Sequence, residues 1–360
     1  MGGRSALAPV LAHVALGVGY FLTAQRVLDM RLVAPSVQPL TGMIYLADAT
    51  SAWMTALWTR ARGDRTSLIV GRVPRVAWTL PVFDLIGLTC AFEAMRALGG
   101  PLYQTISGLL IPLSAALSGV FLGRRFTSVQ MTAIAVVVCG LAVKAADVAD
   151  SAARAGTETP TTGVVFAALA TVAYGFRGLV MEYLTVSGSG MSGNSQTMLI
   201  GTCGLAAFAV YTLARTARDM DGMIWAYYNE RPRDVRDVLL VHLGNMLSRA
   251  FMVKMMMVIV TRAGATQLAL SNAIRSVGVI AFSHILFCGG DARQCLNKNG
   301  AISAAMVVSG GLAYALSAPA KTSAKTDAKK AAPASKSTTR ADVADVPRAT
   351  SVRRRSARRG

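Results

Sequence analysis

Apolar residues fall in long runs along this chain, and polar residues interrupt them at helical spacing. Ten apolar segments stand out, at about 6–25, 39–59, 76–95, 98–122, 127–146, 161–184, 197–214, 235–260, 264–287 and 300–317. Runs of this length cross a bilayer core as helices. The fourth is the most informative. Leu98–Leu122 is uncharged over 25 residues, roughly 37 Å of helix at 1.5 Å per residue. Gln104, Ser107, Ser114 and Ser118 keep near one face of it. Pro112 sits mid-span and predicts a kink there. Gly119 and Gly123 form a small-residue pair suited to close helix packing. Arg124-Arg125 ends the run at the membrane surface. A polar-striped, kinked span of this kind either packs on other helices or lines a pathway.

The remaining composition agrees with a polytopic membrane protein. Of 360 residues, 53% are hydrophobic and only 15% are charged, against about 25% in a soluble domain. Mean hydropathy is +0.46. The formal charge of +19 is uneven: Lys321 to Gly360 carries 12 Lys/Arg against three Asp. The basic balance therefore reflects loops and a tail, not a nucleic-acid-binding domain, and no nucleic-acid partner is expected. The tail, 319–360, is rich in Lys, Ala, Ser, Thr and Pro; it cannot bury a core and is expected to be disordered. Next to a bilayer it is expected to attract anionic lipid.

Ten spans divide into two fives, 1–150 and 151–318. At an offset of 163 residues, Tyr103–Gly123 lies over Thr266–Leu286 with serines in the middle of both. An odd number of spans per half inverts the second half relative to the first. The expected fold is thus all-α, with ten transmembrane helices in two inverted five-helix repeats. The long connection at about 215–236 carries Trp225, Tyr227 and Tyr228 and predicts a short helix at the membrane surface. Outside the tail, Lys/Arg split 9 against 12 between the two sides. The tail and the dense 60–75 loop favour cytosolic termini.

Ionisable residues inside the spans carry the chemistry. They are Asp84, Glu93, Arg177, Glu182, Arg249, Lys254 and Arg275, with Asp48 an eighth. Each costs about 2.5–3.5 kcal/mol at mid-span unless it pairs or faces a wet cavity. Glu93 precedes Arg96 by three residues and reads as an interfacial pair. Gln267, Ser271 and Arg275 share one face of the ninth span, beside Asn272, and Asn245 and Arg249 one face of the eighth. Guanidinium groups in a midplane cavity suit an anionic or strongly polar solute; the competing reading is an Arg–Asp lock, with Asp84 neutralising one of them. The candidate solute-binding set is Gln104, Ser107, Asn245, Arg249, Ser271, Asn272 and Arg275, with Asp84 and Arg177 as charge partners.

No Walker A loop, GxSxG or HExxH is present, so no enzyme activity is expected and transport would run on a gradient. The three histidines are isolated, and no His/Cys spacing points to a metal. No cofactor is expected. Cys90, Cys139 and Cys203 lie in apolar runs; Cys288 and Cys295 pair if their loop faces an oxidising lumen.

Tyr103-Gln104, Ser107-Gly108, FLGRR at Phe121–Arg125, Met181-Glu182, Leu243-Gly244-Asn245 and Ala269–Val279 occur in an order that resembles the EamA-like drug/metabolite transporter superfamily. The closest likeness is to nucleotide-sugar-transporter-like proteins, the F branch of solute carrier 35. The resemblance covers roughly residues 1–317. It implies ten helices in inverted halves, alternating access without ATP, and a eukaryotic endomembrane such as Golgi, ER or a lysosome-like compartment. Members often carry a basic residue where this chain has Ser107. Without that charge two alternatives stay open: a chloroquine-resistance-type carrier of amino acids, peptides or weak bases, and a non-transporting scaffold acting through its tail. A homodimer is compatible with either.

Overall fold

The structure is a computed structural model, and it describes residues 4–62, 73–123, 126–155, 161–186, 191–230, 233–290 and 295–317. The tail predicted to be disordered lies outside the described residues. Among the described residues eleven α-helices follow in chain order: α1 (Arg4–Met30), α2 (Pro39–Ala61), α3 (Thr79–Leu98), α4 (Gly100–Ser107), α5 (Leu110–Leu122), α6 (Ser128–Ala155), α7 (Thr161–Val186), α8 (Gly193–Ala214), α9 (Ala226–Glu230), α10 (Val235–Phe287) and α11 (Lys298–Ser317). No strand occurs among the described residues.

Among the described residues six stretches are long and apolar enough to cross a membrane: Ala8–Met30, Arg75–Leu98, Gly100–Phe121, Thr161–Leu184, Gly193–Arg218 and Val235–Ile259. Ser128–Val143 and Ile274–Phe287 are shorter apolar helices. Large hydrophobic side chains also cover the outside of the bundle. Trp53, Met54, Leu57 and Trp58 on α2, and Val210 and Leu213 on α8, are all exposed. So wide an apolar surface fits lipid, not water.

Two features depart from the sequence-based expectations. The fourth span is broken, but at Gly108-Leu109 and not at Pro112. Pro112 has no N–H for the Gly108 carbonyl, and its ring crowds that carbonyl. The ladder therefore tightens one turn earlier: Gly108 N–H donates to the Thr105 carbonyl at 3.1 Å, Leu109 to Ile106 at 3.0 Å, and Ile111 to Gly108 at 3.1 Å. Second, the expected gap at 260–264 is assigned helix without interruption, so that α10 runs for 53 residues. It is nevertheless not straight. The His13 ring contacts the Met252 carbonyl through Nδ1 and Asn272 Oδ1 through Nε2, each at 3.3 Å. Twenty residues of straight helix would hold those partners about 30 Å apart, so α10 doubles back between them into two antiparallel arms. The long connection does hold a short helix, α9, preceded by a 3-10 turn at Thr216–Arg218 and a π turn at Asp221–Trp225.

The arrangement of helices positions the site. α1 packs along both arms of α10, α2 against α8, α3 against α7, and α6 against α11. The closest backbone approach is between α2 and α8. A Cβ on Gly201 would lie 2.5 Å from the Ala49 amide nitrogen, so only glycine lets α8 settle against the turn that carries Asp48.

Candidate functional site

Two ion pairs cross the interior. One turn after Ile44, α2 presents Asp48, 2% exposed. The first arm of α10 answers with Arg249, whose Nε donates to Asp48 Oδ1 at 2.9 Å and Nη2 to Oδ2 at 2.7 Å. This fork-on-carboxylate geometry is the strongest that a side-chain pair makes. Between α3 and α7, Arg177 Nη1 pairs with Asp84 Oδ1. Asp84 is also only 2% exposed, and its Oδ2 is buried with no hydrogen-bond partner. The second pair is therefore half satisfied, where the first is complete. Sequence reasoning offered Asp84 as the neutraliser of Arg249 or Arg275; the structure pairs Asp84 with Arg177 and gives Arg249 to Asp48.

All four charged residues line one cavity, together with Thr197, Val253 and three methionines, Met181, Met256 and Met257. Its open volume is about 10 Å³, about enough for one water. Two carboxylates and two guanidiniums make its lining neutral overall. A cavity of that size excludes any organic solute in this conformation, so the charges are closed upon one another.

A second polar cluster lies where α1, α4 and the second arm of α10 meet. Ser276 Oγ donates to Gln104 Oε1 at 3.3 Å, leaving Gln104 Nε2 buried without a partner. Ser271 Oγ is likewise buried and unpartnered. Among the described residues Arg275 has no carboxylate partner: its Nε is buried and unbonded, and its guanidinium carbon stands 5.0 Å over the Phe21 ring. Gly17 leaves the room for it, since a methyl there would collide with Arg275 Cδ. The two clusters share an aromatic wall. Arg249 stands 5.6 Å over Tyr20, which meets Phe21 edge-on at 5.0 Å.

The sequence-predicted residues thus divide. Gln104, Ser271, Asn272 and Arg275 come together around α1, with Asn272 tied to His13. Arg249, Asp84 and Arg177 line the cavity. Asn245 serves a helix contact, its amide donating to the Tyr20 carbonyl and to Thr23 Oγ1 at 3.0 Å each. Ser107 Oγ donates to the Gln104 carbonyl in its own helix. Thr197, Tyr20 and Phe21 are not apparent from the sequence, because one hydroxyl or ring in an apolar run carries no signal, and Ser276 carries none for a role beside Arg275. Nearer the ends of the spans, Glu93 pairs with Arg96 at 2.9 Å as expected, and Lys254 donates to Asn194 Oδ1 at 3.1 Å.

Cys288 and Cys295 form a disulfide, with Cα atoms 4.6 Å apart. His284 lies close to both sulfurs, but its Nδ1 accepts the Leu296 N–H at 3.2 Å. With both sulfurs in the bridge, the trio offers no thiolate to a metal.

No family model matches the chain, and no curated protein matches it. A chain in a solved structure, described as "Crystal structure of protein", is similar at 18% identity, covering 87% of this chain and 97% of its own length with a TM-score of 0.53. At that identity the likeness is one of fold.

Proposed function

We propose that the protein is a multi-pass secondary transporter or exchanger of a polar organic metabolite, working by alternating access. The observation that carries this reading is the charged cavity. Ion pairs costly to bury converge from α2, α3, α7 and α10 on one small space, which is how intramembrane charges mark a solute or ion pathway. Arg275, a half-buried cation without a carboxylate partner among the described residues, adds a place for the anionic group of a solute.

Ten spans in two inverted halves belong to the same proposal. Exchange α1 with α7, α2 with α8, α3 with the first arm of α10, α4–α5 with the second arm, and α6 with α11. The most extensive helix packings then map onto one another: α1 on the first arm becomes α7 on α3, while α2–α8 and α6–α11 return to themselves. A pseudo-two-fold of this kind supports a rocking mechanism around a midplane site. The disulfide supports termini on the cytosolic side of an endomembrane, since the loop that holds it then faces an oxidising lumen.

The test is thermal-shift screening of the purified protein against nucleotide sugars, organic anions, amino acids and peptides. A transported solute stabilises by mass action and should then be taken up by proteoliposomes. Uptake that no compound in the panel produces, with no stabilisation by any of them, counts against a carrier.

A further inference from the structure

The two ion pairs differ in one respect. Both oxygens of Asp48 are held by Arg249. Asp84 has one oxygen held by Arg177 and the other, Oδ2, buried without a partner on a residue that lines the cavity. A buried carboxylate oxygen in that position needs a donor or a cation. The available space is about 10 Å³, which limits the occupant to a water, a small ion or a proton. A hard metal cation wants about six oxygen ligands. Here the oxygens in the lining are two carboxylates and the Thr197 hydroxyl, and the other polar groups are two guanidiniums that repel a cation. A proton needs only the free oxygen.

Four helices near Asp84 contribute charge or a titratable ring to its surroundings: Arg177 and Tyr174 from α7, Tyr45 and Asp48 from α2, Arg249 from α10 and Tyr20 from α1; α8 adds the Thr197 hydroxyl. Of these, Arg177 is ion-paired with the Asp84 carboxylate, and the Tyr45 hydroxyl, buried and without a well-aligned partner, lies close enough to donate to it weakly. Neutralising Asp84 therefore releases one guanidinium and leaves the Asp48–Arg249 pair intact.

We propose that Asp84 is a proton-binding site that exchanges Arg177 between its own carboxylate and the anionic group of a solute. A proton adds to Oδ2 and forms an O–H bond, and the carboxylate becomes a neutral carboxylic acid. Arg177 keeps its charge and loses its ion-pair partner. In an opened conformation an anion then takes the place of the carboxylate, so that one proton and the anion enter the site together. The proton site stands on the geometry alone; its coupling to flux rests on the carrier reading above.

Infrared difference spectroscopy of the purified full-length protein on acidification tests the first half. A protonated-carboxyl band should appear in the wild type and in Asp48→Asn, and should be missing in Asp84→Asn. If Asp84→Asn fails to fold, the double variant Asp84→Asn/Arg177→Gln, which leaves no unpaired charge, should also lack the band. A band that persists without Asp84, or that never forms, means that Oδ2 is held by water, and the proposal is wrong. The second half is read with sulfate, whose charge is fixed over the range used. In weak buffer, sulfate should stabilise the protein with uptake of about one proton per chain, and its affinity should rise about tenfold for each unit of acidification, as one-proton linkage requires. Absence of sulfate binding, or binding without proton uptake, overturns the exchange. A protein that protonates Asp84 but moves no solute keeps this site and loses the carrier reading.

Discussion

Asp48 and Arg249 lie 201 residues apart in the chain and meet through two parallel N–H···O bonds, 2.9 and 2.7 Å long, inside the helix bundle. The pair ties α2 to the first arm of α10. Breaking one side leaves a buried charge uncompensated, whereas replacing both by apolar residues removes that penalty. Asp48→Asn should therefore lower stability by about 3–5 kcal/mol. Asp48→Leu combined with Arg249→Met should recover most of it. Unfolding in detergent, followed as a double-mutant cycle, measures both; additive losses would mean that the pair is not coupled.

Arg275 should behave in the opposite way. It has no carboxylate to orphan, and its surroundings are Phe21, Gly17 and an unbonded Nε. Arg275→Met should leave thermal stability within about 1 kcal/mol of wild type, since no buried acid loses its partner, while abolishing uptake of the solute found by screening. A loss of stability as large as that of Arg249→Met would show Arg275 to be a structural charge.

Gly201 is held by contact with backbone, which cannot rotate away as a side chain can. A methyl group there would sit 2.5 Å from the Ala49 amide nitrogen. Gly201→Ala should cost about 1–3 kcal/mol by overpacking and should disturb the Asp48 pair beside it. Equal melting temperatures for Gly201→Ala and wild type would refute so tight a crossing.

These residues also show how far the sequence could be read. Long apolar runs made the helices legible, because length and charge exclusion identify a span without knowledge of its neighbours. Ionisable residues inside the runs were legible for the same reason, and Asp84, Arg177, Arg249 and Arg275 all proved to be buried or half-buried. Their pairing was not legible. Which acid meets which base depends on how α2 and α3 pack against α10 and α7, and no local pattern encodes that. The helix break at Gly108 was displaced from Pro112 because proline acts on the carbonyl four residues before it. His13, read as an isolated packed residue, turned out to clasp both arms of α10, a role that appears only when the arms are adjacent.

The Cys288–Cys295 bridge fixes an expectation for orientation. In sealed microsomes with the cytosolic face outward, and with Cys90, Cys139 and Cys203 changed to Ser, an impermeant maleimide should label Cys288 and Cys295 only after both permeabilisation and reduction. Labelling of intact microsomes without reductant would place that loop in the cytosol and reverse the proposed orientation.

The central claim is a chamber between the helices that opens to each side in turn, and Thr197, on the wall it shares with Asp84 and Arg249, is the position to probe. With the three free cysteines replaced by Ser, Thr197→Cys reconstituted in liposomes should react with an impermeant thiol reagent added from either side, and faster as the screened solute shifts the population. Reaction from neither side, or from one side under every condition, would contradict alternating access and leave the four charges as structural locks.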